Sequence, residues 1–154
     1  SVRDQLGQRY QPYIGDKEIR TDRMIRSRWP ADPETTVGEV LIGGEDETDR
    51  ALRAAWKARD EWAETPADER AEYLLDVADA MRDRRDELAA WMVFESAKNW
   101  READADVCEA IDFCEYYARE MKELGSPQKM GDVAGEHNLL SYQPRGVAAV
   151  IAPW

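Results

Sequence analysis

The fold class is decided by the end of the sequence, Gly146-Val147-Ala148-Ala149-Val150-Ile151-Ala152-Pro153-Trp154. This run is apolar throughout and contains β-branched residues, a pattern typical of a parallel strand that is covered on both faces. A parallel strand reaches its neighbours through crossover connections of roughly a dozen or more residues. Because the sequence stops at Trp154, we expect those neighbours to lie in further sequence, and we interpret the chain as a piece of a larger α/β protein.

The first third of the chain is expected to consist of strands and loops. Residues 10–20 predict two short strands around a tight turn, because Gly15 and Asp16 tolerate the positive φ of such turns. Further strands are predicted at residues 24–29 and 36–42, separated by an irregular turn that contains two prolines. A β-hairpin is therefore expected to open the chain.

The middle of the chain has helical periodicity with clear start signals. Thr48 is expected to cap a first helix, Thr65 to cap a second, and Asp86 to open a third. A fourth helix is predicted over residues 100–124, with Gly125 as its C-terminal stop. The residues predicted to face the core are Leu52, Ala55, Trp56, Trp62, Ala63, Ala71, Leu74, Leu75, Ala78, Met81, Leu88, Trp91, Met92, Phe94, Ala103, Val107, Ala110, Ile111, Cys114, Tyr117, Ala118 and Met121.

The charge balance argues against two classes of partner. Acidic residues number 33 against 21 basic ones, a formal net charge of −12, whereas nucleic acids and anionic membranes attract an excess of Lys and Arg. The scarcity of Lys suggests a salt-rich cell interior, with an ordinary acidic protein as the alternative. No stretch has the pattern of a signal peptide or a membrane span, so we expect a cytoplasmic location.

Generic catalytic signals are missing from the sequence. Cys108 and Cys114 are six residues apart on a predicted helix, so they point in different directions and suit neither a disulfide nor a metal pair. His137 is the only histidine and is expected in a loop, and no Gly-rich phosphate loop is present. We therefore predict no catalytic residue and no metal site within this chain.

Several motifs nevertheless resemble the aldehyde dehydrogenase superfamily. The final run is similar to that family's GV-x-x-x-I-x-PWNFP segment, which forms the first strand of its NAD domain. Residues 29–33 with 37–40 resemble its NPAT-GEV stretch, although Trp29 replaces the usual Asn. Residues 54–62 resemble its A-x-x-A-F-x-x-W helix and residues 65–70 its S-P-x-x-R helix start. The resemblance runs from Tyr13 to the end of the sequence.

Within that superfamily the chain is similar to the 1-pyrroline-5-carboxylate dehydrogenases. The similarity lies in ESAK at residues 95–98, EADAD at residues 102–106 and EAIDFCEYYAR at residues 109–119. It implies an enzyme of proline and arginine catabolism that uses NAD to oxidise glutamate 5-semialdehyde to glutamate on a nucleophilic cysteine. It also implies that this cysteine and the general-base glutamate lie beyond Trp154, so that the chain alone is inactive.

The resemblance further implies a fold and a set of contacts. The complete enzyme is expected to have the α/β aldehyde dehydrogenase fold, of which this mostly helical piece supplies part of the NAD-binding domain (residues 1–137), a strand for homo-oligomerisation (138–145) and the first strand of the NAD-binding sheet (146–154). A substrate contact is implied for Asp104 on the fourth helix. Cofactor contacts are implied for Ile151, Ala152, Pro153 and Trp154. Two alternatives stay open, namely a stand-alone helical interaction module and a dehydrogenase for another aldehyde.

Overall fold

The chain begins with a small β layer and continues into four helices. The computed structural model describes residues 1–152. A single 3-10 turn, Val2–Gln5, precedes the strands. The strands of the β layer are β1 (Gln8–Tyr10), β2 (Tyr13–Ile14), β3 (Lys17–Glu18), β4 (Arg23–Trp29) and β5 (Asp32–Ile42). The helices are α1 (Glu45–Glu64), α2 (Ala67–Asp83), α3 (Arg85–Ser96) and α4 (Trp100–Leu124).

The β layer confirms the predicted hairpin and adds a strand that the sequence did not reveal. Strands β2 and β3 pair antiparallel around Gly15, whose φ is +63°. The long strand β5 lies between β4, which pairs antiparallel to it, and β1, which pairs parallel to it. Strand β1 was missed because it has only three residues and pairs with a strand thirty positions away, beyond the reach of local pattern reading.

One carboxylate joins all three strands of this sheet. Glu39 of β5 accepts hydrogen bonds from Arg26 of β4 (Nη2 to Oε1, 2.7 Å) and from Arg9 of β1 (Nη2 to Oε2, 2.9 Å). The Glu39 side chain is only 16% exposed, and it stands directly opposite both arginines in the strand register. Hydrogen bonds from Arg9, then from Arg26, hold the pKa of Glu39 below its ordinary value. We infer that this contact fixes the register of β1 and β4 on β5.

Replacing Glu39 with Gln should therefore lower stability in a pH-dependent way. The folded-state pKa of Glu39 lies below the unfolded-state value of about 4.3. The stabilisation is thus fully present above that value and disappears as the pH falls through the folded-state pKa. Denaturant unfolding at about pH 7 should show Glu39→Gln to be less stable than the unmodified chain, and at about pH 3 the gap should be smaller. Glu34→Gln, on an exposed part of the same strand, should show no gap at either pH.

The helices form where the sequence predicted them, with shifted starts. The bounds of α4 are those predicted. Helix α1 begins three residues before Thr48, because the Glu47 carboxylate accepts a hydrogen bond from the Gly44 amide (2.8 Å) and caps the helix there. Helix α2 starts after Pro66, and the chain breaks at Arg84 before α3. The third helix is thus separate from the second.

Two apolar clusters hold the structure together. The first lies between α2, α3 and α4, and its buried members are Ala78, Ala89, Ala103, Val107 and Ile111. The second lies between the N-terminal turn, the sheet and α3, where Trp29 packs edge-on against Phe94 with ring centroids 5.2 Å apart; its buried members are Val2, Val37 and Phe94. Small side chains in the first cluster let the helices approach closely.

Two predictions about buried faces were wrong. Helix α1 has no buried residue, and Leu52, Trp56 and Trp62 are all exposed. Within residues 1–152 this helix packs mainly beside β2, and its apolar face is covered only in part, where Trp62 meets Tyr73 of α2 with ring centroids 5.7 Å apart. Tyr117 on α4 is exposed and stacks on Phe113 instead of pointing inward. Periodicity identifies an apolar face but cannot say whether another element covers it.

The C-terminal strands are shorter than predicted. Of the strand predicted at residues 138–143, only β7 (Leu139–Leu140) forms, paired antiparallel with β6 (Gln128–Lys129). Residues 146–152 form no strand, because among residues 1–152 no neighbouring strand pairs with them. An apolar sequence is suited to a buried strand, but a ladder needs a partner backbone.

Candidate functional site

The segment predicted to contact the cofactor lies open to solvent. Val150 is 91% exposed and Ile151 is 89% exposed, and Ala152 is exposed as well. Pro153 and Trp154 lie outside the described residues. A dinucleotide site is a cleft that encloses most of its ligand, and among residues 1–152 nothing faces Ile151 from the other side. The described residues therefore do not by themselves fit a whole NAD molecule and can supply only one side of such a site.

The predicted substrate residue Asp104 lies on α4 against the start of α3. Both of its oxygens accept hydrogen bonds from Arg85, from Nε to Oδ1 and from Nη2 to Oδ2, each at 2.6 Å. This fork geometry is the strong form of an arginine–carboxylate contact. The hydrogen bonds from Arg85 hold the pKa of Asp104 below its ordinary value, so the carboxylate is anionic at neutral pH. Its side chain remains 41% exposed.

Further ion pairs surround this contact at the junction of α2 and α3. Arg82 at the end of α2 pairs with Glu115 on α4, and Arg84 pairs with Glu87 on α3 with both oxygens at 2.9 Å. The hydrogen bond that Arg82 donates to Glu115 is the main reason why the pKa of Arg82 is raised. Sequence reasoning missed Arg82 and Arg85 because their partners on α4 lie 33 and 19 residues away in the chain. The run of alternating basic and acidic residues at 82–87 was the only available signal.

The two cysteines of the chain both lie on α4. Cys108 and Cys114 are both free thiols, as predicted, and Cys114 packs against the helical core. Within the described range, 1–152, no cluster of three or more His, Cys, Asp or Glu side chains could hold a metal ion. None of the helices described has the length and hydropathy needed to cross a membrane.

A family profile decides the relationship that the motifs suggested. The profile of the "Aldehyde dehydrogenase family" matches residues 18–154, which is most of the sequence. The chain belongs to the aldehyde dehydrogenase family. The resemblance drawn from the terminal run and from the start of α2 is thereby confirmed, and with it the fold class.

Individual members of the family indicate the subfamily. The chain is 42% identical over 154 residues, its full length, to "1-pyrroline-5-carboxylate dehydrogenase 2" of Bacillus subtilis. It superposes with a TM-score of 0.87 and 42% identity on the crystal structure of 1-pyrroline-5-carboxylate dehydrogenase from Thermus with bound NAD, covering 93% of this chain and 28% of that one. Proline utilization A from Bdellovibrio bacteriovorus superposes with a TM-score of 0.90 and 33% identity, covering 94% of this chain and 15% of that one.

The matched length limits what these relatives imply. The chain spans about 30% of the length of the curated relatives that it matches. The fold of residues 1–152 is thus shared with family members over that part of their length.

Proposed function

We propose that the polypeptide to which this chain contributes oxidises L-glutamate 5-semialdehyde, the open form of 1-pyrroline-5-carboxylate, to L-glutamate with NAD as the electron acceptor. The observation that carries the proposal is the 42% identity along the whole chain to a 1-pyrroline-5-carboxylate dehydrogenase. The Thermus enzyme of that name, to which the chain is equally similar, has NAD bound. The reaction takes two electrons from the aldehyde carbon and adds an oxygen atom from water, which yields the carboxylate.

In this proposal the chain forms part of the scaffold and part of the wall of the cofactor site. The reacting groups belong to residues outside the chain. The division into residues 1–137, 138–145 and 146–154 follows the family resemblance, with Ile151 to Trp154 beside NAD. The nucleophilic cysteine and the general base lie outside these residues. Two observations support this view, since Cys114 is packed in the helical core and neither cysteine has a base arranged to activate it within the part of the chain described.

The test is an assay of NADH formation by the complete polypeptide with glutamate 5-semialdehyde. We expect turnover from the complete polypeptide, unchanged turnover after Cys108→Ser and Cys114→Ser, and none from the 154-residue chain. Loss of turnover in a folded Cys108→Ser variant would refute the assignment of the nucleophile. Activity with other aldehydes but not with this one would favour the alternative substrate, and no activity with any aldehyde would favour an interaction module.

We propose that Asp104 borders the path of the aldehyde and attracts the α-ammonium group of the substrate. An anionic carboxylate oriented by Arg85 and still partly exposed is suited to this role. Asp104→Asn should raise KM several-fold in the complete polypeptide with little change in kcat, since the contact is the same in ground and transition states. Arg85→Gln breaks the same ion pair and serves as the control. An equal rise in KM for both variants would show that only the ion pair matters.

We also propose that the enzyme is a homo-oligomer assembled through residues 138–143. Leu139 and Leu140 are exposed, and β7 pairs with β6 on one edge only. A free edge with apolar side chains is a natural site for pairing with another chain. Sedimentation of the complete polypeptide should show a smaller assembly after Leu139→Lys and Leu140→Lys, while Met130→Lys, an exposed residue just after β6, should leave the assembly unchanged.

A further inference from the structure

A groove of about 380 Å³ lies between α1, the start of α2 and residues 144–148. One wall is formed by Arg59 and Trp62 on α1, and the opposite wall by Arg145 and its neighbours. Gly146 has a φ of +97°, a conformation that residues with side chains rarely adopt, and its position lies within ordinary van der Waals contact of Arg59 and Trp56. This glycine therefore lets the chain turn close to α1 and form the groove.

The groove is lined by three arginines in a chain whose net charge is −12. Arg59 is neutralised, because its Nε donates to Asp60 at 2.7 Å and its guanidinium stacks on Trp56 at 5.0 Å. Arg145 and Arg70 form no ion pair with any residue from 1 to 152. Both guanidinium groups are therefore available to an anion from outside the chain.

Arg70 also has an N–H group without a hydrogen-bond acceptor. Its Nε is buried and has no hydrogen-bond acceptor among the described residues. Buried guanidinium groups in native proteins nearly always have an acceptor, so an orphaned N–H of this kind indicates a missing group. A guanidinium is a planar donor whose geometry matches the paired oxygens of a carboxylate or phosphate.

We propose that this groove is a binding site for an oxyanion, a carboxylate or phosphate group, held by Arg70 and Arg145. In this site Arg70 turns its guanidinium from the floor toward the groove, which gives its Nε an acceptor, and Arg145 closes the site from the 144–148 side. Ala55, Trp62 and Ala63 supply an apolar wall beside the two guanidinium groups. The inference does not rest on the proposed dehydrogenase activity.

Calorimetric titration of the full 154-residue chain tests the site. The probes are inorganic phosphate and glutarate, each at an ionic strength held constant with NaCl so that general screening does not change. We expect saturable binding of at least one probe, and the probe that binds tells which oxyanion the groove takes. Arg70→Gln and Arg145→Gln should each weaken binding by about tenfold or more, because each removes a charge-assisted contact.

Arg53→Gln is the matched control, since Arg53 lies on α1 but is exposed and outside the groove. It should bind the probe as tightly as the unmodified chain. Arg145 lies in an exposed segment, so Arg145→Gln remains informative if Arg70→Gln fails to fold. Absence of saturable binding by either probe, or equal binding by Arg145→Gln and Arg53→Gln, would overturn the proposal.

Discussion

The Ala103→Leu variant is expected to lose about 3 kcal/mol of unfolding free energy, because three added carbon atoms have no space in the helical core. Ala103 is 0% exposed and belongs to the cluster that joins α4 to α2 and α3. Its neighbours in that cluster include Ala78 and Ala89, whose small side chains show how closely the helices approach. A larger side chain must push the helices apart along their contact. Denaturant unfolding measures the loss directly.

Ala105→Leu provides the control on the same helix. Ala105 is exposed, and an exposed substitution between two good helix formers should change stability by less than about 0.5 kcal/mol. Equal stability of the two variants would mean that α4 does not pack as closely on α2 and α3 as described.

Replacing Gly125 with Ala is expected to lower stability by about 2 kcal/mol, for a steric reason. Gly125 follows the last residue of α4, where glycine commonly adopts a left-handed conformation. Here its φ is −69°, which any residue can adopt. A Cβ atom at Gly125 would instead lie 2.2 Å from the Cβ of Ala67 at the start of α2. The glycine lets the end of α4 meet the start of α2.

Asparagine distinguishes the two explanations for Gly125. Asn tolerates the left-handed conformation better than Ala does, so a conformational role would make Gly125→Asn the milder change. The observed close approach makes Asn, the larger residue, at least as damaging as Ala. Adding Ala67→Gly to Gly125→Ala should restore part of the loss, because it removes the atom that clashes. A milder effect of Asn, with no rescue by Ala67→Gly, would contradict the steric account.

The stop at Gly125 shows how far local signals reach. The sequence located the end of α4 correctly, since Gly125 and Pro127 prevent its continuation. It did not reveal why glycine is required there, because Ala67 is distant in the chain. The same limit applies to Glu39, which follows the family-like Val37-Gly38 pair but gains its role only from Arg9 and Arg26 on two other strands.

The candidate site also combines features visible in the local sequence with contacts that only the fold creates. Asp104 was identified by resemblance alone, and no local pattern connected it with Arg85 on another helix. The groove around Arg70 escaped prediction because its walls come from α1 and from residues 144–148, far apart in sequence. The terminal run indicated the family, but the cofactor contact proposed for it would need neighbouring elements that residues 1–152 do not provide.

The sequence by itself determined the family, the hairpin at Gly15, the four helices and the bounds of α4, because turn residues and periodicity act within a few positions of one another. The predicted starts at Thr48, Thr65 and Asp86 were wrong, since α1, α2 and α3 begin after Gly44, Pro66 and Arg84. The tertiary structure decided which apolar faces are covered, which charges pair and which strands form. In the structure most of the apolar face of α1 is exposed, and Tyr117 points outward. Of the strands predicted after residue 137, only Leu139–Leu140 forms. Burial, ion pairing and strand ladders all require a partner from elsewhere in the chain, and whether that partner is present depends on the folded arrangement.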